Sequence, residues 1–86
     1  MNEKELAKYL YNRVIKDKNE IGEQFVASGI KLTQEPFTDI KDIDLFFKEC
    51  KSLGLIIEYA QDSIYKKEYK KDNYQTIIAF LSNDTL

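Results

Sequence analysis

The hydrophobic pattern of this chain changes at Gly54, and that change is the strongest constraint on its fold. Before Gly54, apolar residues recur every three or four positions, as they do on one face of a helix. After it, the segments LIIEYA (55–60) and YQTIIAFL (74–81) are rich in Ile, Tyr, Thr and Phe, which favour strands. The sequence therefore predicts an α+β fold, with helices first and an antiparallel hairpin or meander of two or three strands after them.

The first predicted helix covers residues 3–17. Its apolar face repeats every fourth residue: Leu6, Leu10 and Val14. Asn2 precedes the helix as a cap, and Glu5 stands at the third helical position, which is the pattern of a capping box.

The segment that follows permits three structures. We favour a break near residues 18–19 and a second helix that ends at Gly29, because glycine suits the left-handed position after a helix. The first helix would otherwise run on to residue 28. A strand over residues 23–32 is the third alternative.

A third helix is predicted over residues 38–53. Its apolar positions follow the helical period: Ile40, Ile43, Phe46, Phe47, Cys50 and Leu53. Thr38 or Asp39 would cap its start, and Gly54 would end it. Cys50 lies on the apolar face of this helix, which predicts a buried thiol.

The residue types limit the chemistry. The chain has no histidine and one cysteine, which excludes the usual tetrahedral zinc sites and the Ser–His and Cys–His nucleophile pairs. Its three glycines are isolated, so there is no glycine-rich phosphate loop. We therefore expect neither an enzyme nor a metal or cofactor site.

Length and composition point to one small domain over residues 1–86. The 86 residues suit a single domain, and the lone cysteine is typical of a reducing, cytoplasmic setting. The apolar runs are far shorter than the ~20 residues that span a bilayer, so we expect no membrane association.

The segment SIYKKEYKKDNY (63–74) is the candidate binding site. It interleaves tyrosines with lysines: Tyr65, Lys66, Lys67, Tyr69, Lys70 and Lys71. In such a segment lysines neutralise phosphates and rings stack on bases. The net charge of −2 confines any nucleic-acid contact to this local patch. We favour a strand over residues 64–69; a flexible tip and a short helix are the alternatives, and lysines that merely protect a sheet edge would explain the same residues.

The segment FFKECKSLGLIIEY (46–59) resembles the end of the third helix of a winged-helix domain and the Leu-Gly-Leu-Ile turn that feeds its wing. The resemblance implies three N-terminal helices and a β-hairpin. It also implies that helix 38–53 faces the major groove of DNA and that residues 61–73 form the wing. The other fold compatible with the pattern is a three-stranded meander packed on two helices.

Two functions follow. The first is a non-enzymatic accessory protein, bacterial or phage in origin, that binds DNA in transcription-linked regulation. The second is a module that binds a host protein, which the four acids of helix 38–53 favour: Asp39, Asp42, Asp44 and Glu49.

Because small domains often cover apolar surface by pairing, we also predict a homodimer through Leu6, Leu10 and Val14.

Overall fold

The computed structural model describes residues 1–64 and 71–84. Its main elements are two helices and three strands: α1 (Glu3–Ile21), β1 (Ser28–Lys31), α2 (Ile43–Ser52), β2 (Leu55–Tyr59) and β3 (Thr76–Leu81). Within these residues, short 3-10 turns join or extend them: Gly22–Gln24, Phe37–Asp39, Ala60–Asp62 and Ser82–Asp84. The predicted α+β class is confirmed.

Helix α1 begins as the sequence predicts and ends later. The Asn2 side chain accepts from the Glu5 N–H at 2.8 Å, and the Glu5 carboxylate accepts from the Asn2 N–H at 3.0 Å. The helix has no break at residues 18–19 and ends at Gly22, whose φ of 77° is unfavourable for any residue with a Cβ. The separate second helix predicted before Gly29 is therefore wrong.

Most residues of that predicted helix lie in the end of α1 and in the turn Gly22–Gln24, and strand β1 begins at Ser28. Ser28 and Ile30 are buried while Gly29 and Lys31 are exposed, the alternation of a strand with one covered face. Gly29 pairs with Ile78 of β3, so it is a strand residue and not a helix stop. The three-helix prediction fails here because the partner strand stabilises a strand that local propensity leaves ambiguous.

Helix α2 ends where predicted but begins later. Gly54, with φ at 88°, follows the C-cap residue Leu53, which confirms the predicted stop. The predicted cap at Thr38 or Asp39 is wrong, since both lie in a 3-10 turn. Asp42 caps the helix instead, and its carboxylate accepts from the Leu45 N–H at 3.1 Å.

The sheet is antiparallel in the order β1-β3-β2. The last strand lies in the middle, so the sheet is not a meander, and its third strand comes from the N-terminal half of the chain. The strand predicted over residues 64–69 falls almost entirely outside the described residues. Both faces of β3 are buried, which suits a central strand with the continuous apolar run TIIAFL.

Both helices pack on one face of the sheet around a single hydrophobic cluster. From α1 it includes Leu6, Leu10 and Val14, together with Ala7, each 0% exposed. Leu6, Leu10 and Val14 were predicted to form a dimer interface. That assignment is wrong, because the chain's own sheet and second helix already cover them.

Candidate functional site

The basic hairpin that joins β2 to β3 is only partly described. Five of its six predicted binding residues lie outside the described residues: Tyr65, Lys66, Lys67, Tyr69 and Lys70. Lys71 is described and exposed. The two ends of the hairpin are also described, and they show which residues the base of the hairpin contacts.

The returning end of the hairpin is a tight turn over residues 72–75. Asn73 and Tyr74 have φ values of 57° and 62°, and the Gln75 N–H donates to the Asp72 carbonyl at 3.2 Å. Two successive left-handed residues match a type I′ turn, which asparagine tolerates and tyrosine does not. The Tyr74 N–H donates to the Gln61 side chain on the outgoing end. An exposed aromatic residue is thus held in a strained, cross-braced turn.

The Tyr74 ring belongs to a row of six aromatic rings that crosses the molecule. Successive centroids are 5.1–6.3 Å apart along Tyr9, Phe37, Phe46, Phe47, Tyr59 and Tyr74. Phe47 of α2 packs on Tyr59 at 5.3 Å, and Tyr59 meets the edge of Tyr74 at 5.1 Å. These contacts make the base of the hairpin and α2 one continuous surface.

The exposed side of α2 borders this row. Asp44, Lys48 and Lys51 are exposed and follow one another at helical spacing, flanking Phe47. Counting charges along the sequence made this helix acidic, but the structure separates its acids. Asp39 lies outside the helix and pairs with the amino terminus at 2.9 Å.

The other acidic residues of the predicted helix 38–53 differ in their positions on or beside α2. Asp42 is engaged as the α2 cap, and Glu49 is half-buried. Asp44 is then the one acid that faces solvent beside Lys48 and Lys51 on the helix. We name the surface of Lys48, Lys51, Lys71, Tyr59 and Tyr74 the α2–hairpin face.

Charge is uneven across this face. Burial, followed by the nearby carboxylates of Asp44 and Asp62, raises the pKa of the Tyr59 phenol above its ordinary value. Tyr59 is therefore a neutral hydrogen-bond donor at physiological pH. Negative charge collects near Tyr59, and positive charge lies at Lys48, Lys51 and Lys71.

Cys50 has the environment that the sequence predicts. Its thiol is 0% exposed, and burial raises its pKa to about 12. A thiol that stays protonated and covered is a poor nucleophile. Residues 1–64 and 71–84 also contain no group of three metal-ligating side chains.

Sequence reasoning missed Tyr59, Lys48 and Lys51 as parts of a site, and it included Tyr74 only as the last residue of the segment 63–74. The two lysines were recoverable, because they lie opposite an apolar helical face that had been recognised. Nothing in the sequence signals that Phe47, Tyr59 and Tyr74 meet, since they lie on three different elements.

Comparison with known proteins gave no match to the chain, whether among family models, curated proteins or solved structures. In the part of the chain that the structure describes, no helix has the length and apolar character needed to cross a bilayer.

Proposed function

We propose that this chain is a small, non-enzymatic, winged-helix-like module that acts in the cytoplasm and binds nucleic acid through the α2–hairpin face. DNA-linked regulation is the role that such a module would serve. The support for it comes from the residues of the α2–hairpin face and not from similarity to a known protein.

The order of the elements supports the winged-helix part of the proposal. The segment Ser-Leu-Gly-Leu-Ile joins helix α2 to strand β2, and a lysine-rich connection leads from there to β3, as in the resemblance. The chain departs from it where strand β1 replaces the second of three expected helices. Helix α2 would therefore be the element that faces DNA.

One observation carries the functional part: Lys48 and Lys51 lie exposed beside an aromatic row that ends in a strained, exposed tyrosine. The lysines supply charge for phosphates, and the Tyr74 ring supplies a surface for a base or sugar. Residues held in rarely adopted backbone conformations are concentrated at binding sites. Few lysines take part, so binding by one copy would be weak and a dimer would strengthen it.

The test is a salt titration of binding to a labelled DNA duplex, followed by fluorescence anisotropy. A plot of log affinity against log salt should be linear, with a slope of about −0.9 for each phosphate neutralised. Lys48→Gln/Lys51→Gln should reduce the magnitude of that slope by about 1.8, because two contacts are lost.

The matched control is Lys4→Gln/Lys8→Gln, which removes the same charge from exposed positions of α1. Its slope should stay near that of the unaltered chain. Equal slopes for the two double variants would show that net charge alone drives binding, and the α2–hairpin face would lose its role.

A protein partner is the second candidate, and exposed apolar residues at the hairpin base favour it. Ile64 is 76% exposed and Tyr74 is 51% exposed. Large apolar groups left exposed on a surface often mark protein contacts. If neither duplex nor single-stranded DNA binds at low salt, this candidate takes precedence. A photo-crosslinking residue at position 64 should then capture one discrete protein, and the same group at position 4 should not.

A further inference from the structure

The outer side of α1 carries a second cluster that the α2–hairpin face does not use. An open depression of about 410 Å³ is lined by Tyr9, Asn12, Arg13 and Lys16. Their spacing of three and four residues places them on one side of the helix. All four side chains end in hydrogen-bond donors, and two of them are cations. Such a lining suits an anion.

The Arg13 guanidinium is held in place from the sheet. Its Nε donates to the Asp17 carboxylate at 3.1 Å and 3.3 Å. The Ser28 hydroxyl, 2% exposed on β1, donates to the same carboxylate at 2.7 Å. These bonds use the Nε–H and leave the two terminal amino groups of Arg13 for a ligand. A guanidinium oriented in advance loses less freedom on binding.

Tyr9 and Lys16, which also line the depression, are positioned to contact a ligand there. The Tyr9 ring is fixed edge-on to Phe37 at 5.7 Å, and the ring remains 44% exposed. Lys16 is exposed and adds a second cation, while Asp17 pairs with Arg13 and the exposed Glu20 lies one turn beyond Lys16. The preceding acid, Glu5, is engaged by the Asn2 N–H. A ligand in the depression would meet the four donors and the Tyr9 ring, with the carboxylates of Glu5 and Glu20 one turn away at either end.

We propose that this depression binds a phosphoryl group, with Arg13 and Lys16 as the charged donors and Asn12 and the Tyr9 hydroxyl as the neutral ones. A tetrahedral dianion uses several donors that converge from one side, and the Arg fork matches two of its oxygens. The depression is larger than a phosphate ion, so it has room for the group that carries the phosphate. That group is either a small phosphate ester or the backbone of a nucleic acid.

The experiment is an NMR titration of the whole chain with pyrophosphate, with adenosine monophosphate and with a short DNA duplex, each at matched ionic strength. The backbone amides of residues 9–16 and the Arg13 Nε–H report on the depression. Pyrophosphate or the nucleotide should shift them with saturation in the millimolar range or below (Kd about 1 mM or tighter). Arg13→Gln should weaken this binding by about tenfold or more, and Lys16→Gln by several-fold.

The control is Lys4→Gln, which removes one positive charge from α1 outside the depression, and it should leave the affinity within about twofold. Saturation by a small phosphate ester supports a ligand pocket. Shifts only with duplex, lost in Arg13→Gln, support the same phosphate chemistry on a nucleic-acid backbone. The proposal is wrong if no titrant saturates these signals, or if Arg13→Gln and Lys4→Gln behave alike. It does not depend on the α2–hairpin face.

Discussion

Tyr74 combines a bulky side chain with a left-handed backbone, two features that usually exclude each other. The left-handed conformation costs a residue with a Cβ about 1–2 kcal/mol, and glycine would avoid that cost. The chain instead keeps a ring that is half exposed and stacked edge-on against Tyr59. This is the pattern expected where binding, rather than stability, sets the residue type.

Replacing Tyr74 by glycine and by alanine separates the backbone from the ring. Both variants lose the ring, so Tyr74→Gly should be more stable than Tyr74→Ala by about 1 kcal/mol in urea denaturation. The same two substitutions at Glu58, in strand β2, are the control. There Glu58→Ala should be more stable than Glu58→Gly by about 0.5–1 kcal/mol, because glycine weakens a strand. If alanine is also the better residue at position 74, the left-handed turn is absent. Tyr74→Phe should preserve both the fold and any stacking on nucleic acid.

At the scale of elements, one side chain joins the starts of the two helices. The Glu3 carboxylate, in the first turn of α1, accepts from the N–H groups of Lys41 and Asp42 at 2.7 Å and 3.0 Å. These are the last residues before α2, so the bond fixes where α2 begins relative to α1. The two N–H donors lower the pKa of Glu3 below its ordinary value of 4.5.

Glu3→Gln should therefore lower the urea midpoint in a pH-dependent way. A carboxylate with a depressed folded-state pKa stabilises the fold fully above its unfolded pKa, and this contribution is lost as pH falls through the folded value. The difference between Glu3→Gln and the unaltered chain should be largest at neutral pH and should shrink as pH falls below 4.5, the ordinary pKa of the group.

Glu23→Gln is the control for Glu3, because Glu23 is exposed in the 3-10 turn after α1. Its effect should be small at every pH. A Glu3→Gln deficit that does not change with pH would mean that the carboxylate's charge is irrelevant to the bond.

At the scale of the whole molecule, the helix–sheet core uses the apolar face of α1 that was predicted to bind a second copy. A domain of this size is stable by about 5–10 kcal/mol, so each fully buried leucine is a large share of the total. The prediction of a homodimer is untested, and any such contact must use other residues. Among the exposed apolar side chains, Ile21 and Val26 lie near the end of α1, each 56% exposed.

Leu10→Ala should cost about 2–5 kcal/mol of unfolding free energy, because it opens a cavity in a closed core. The urea midpoints of this variant and of the unaltered chain should differ by the same amount at two protein concentrations about tenfold apart, as a monomeric core requires. Leu45→Ala makes the same change at a residue that is 40% exposed, and it should cost well under 2 kcal/mol. A Leu10→Ala deficit that grows on dilution would restore α1 as a subunit interface.

Features governed by near neighbours were readable from the sequence. The Asn2–Glu5 capping box, the stop at Gly54 and strands β2 and β3 each depend on residues within one or two turns or on local propensity. The burial of Cys50 followed from helical periodicity alone. In the same way, the lack of histidine limits the chemistry through residue type alone, whatever the fold.

Contacts between distant residues were decided only by the tertiary structure. Strand β1 exists because β3, far along the chain, supplies its hydrogen-bond partners, and four residues carry too little local signal to reveal that. The charge on the surface of α2 depends on the ion pair between Asp39 and the amino terminus. The α2–hairpin face depends on the contacts among Phe47, Tyr59 and Tyr74, which lie on three different elements. A sequence shows which residues favour a helix or a strand; it does not show which distant groups neutralise, cover or stack on them, because those contacts arise only when the layers pack.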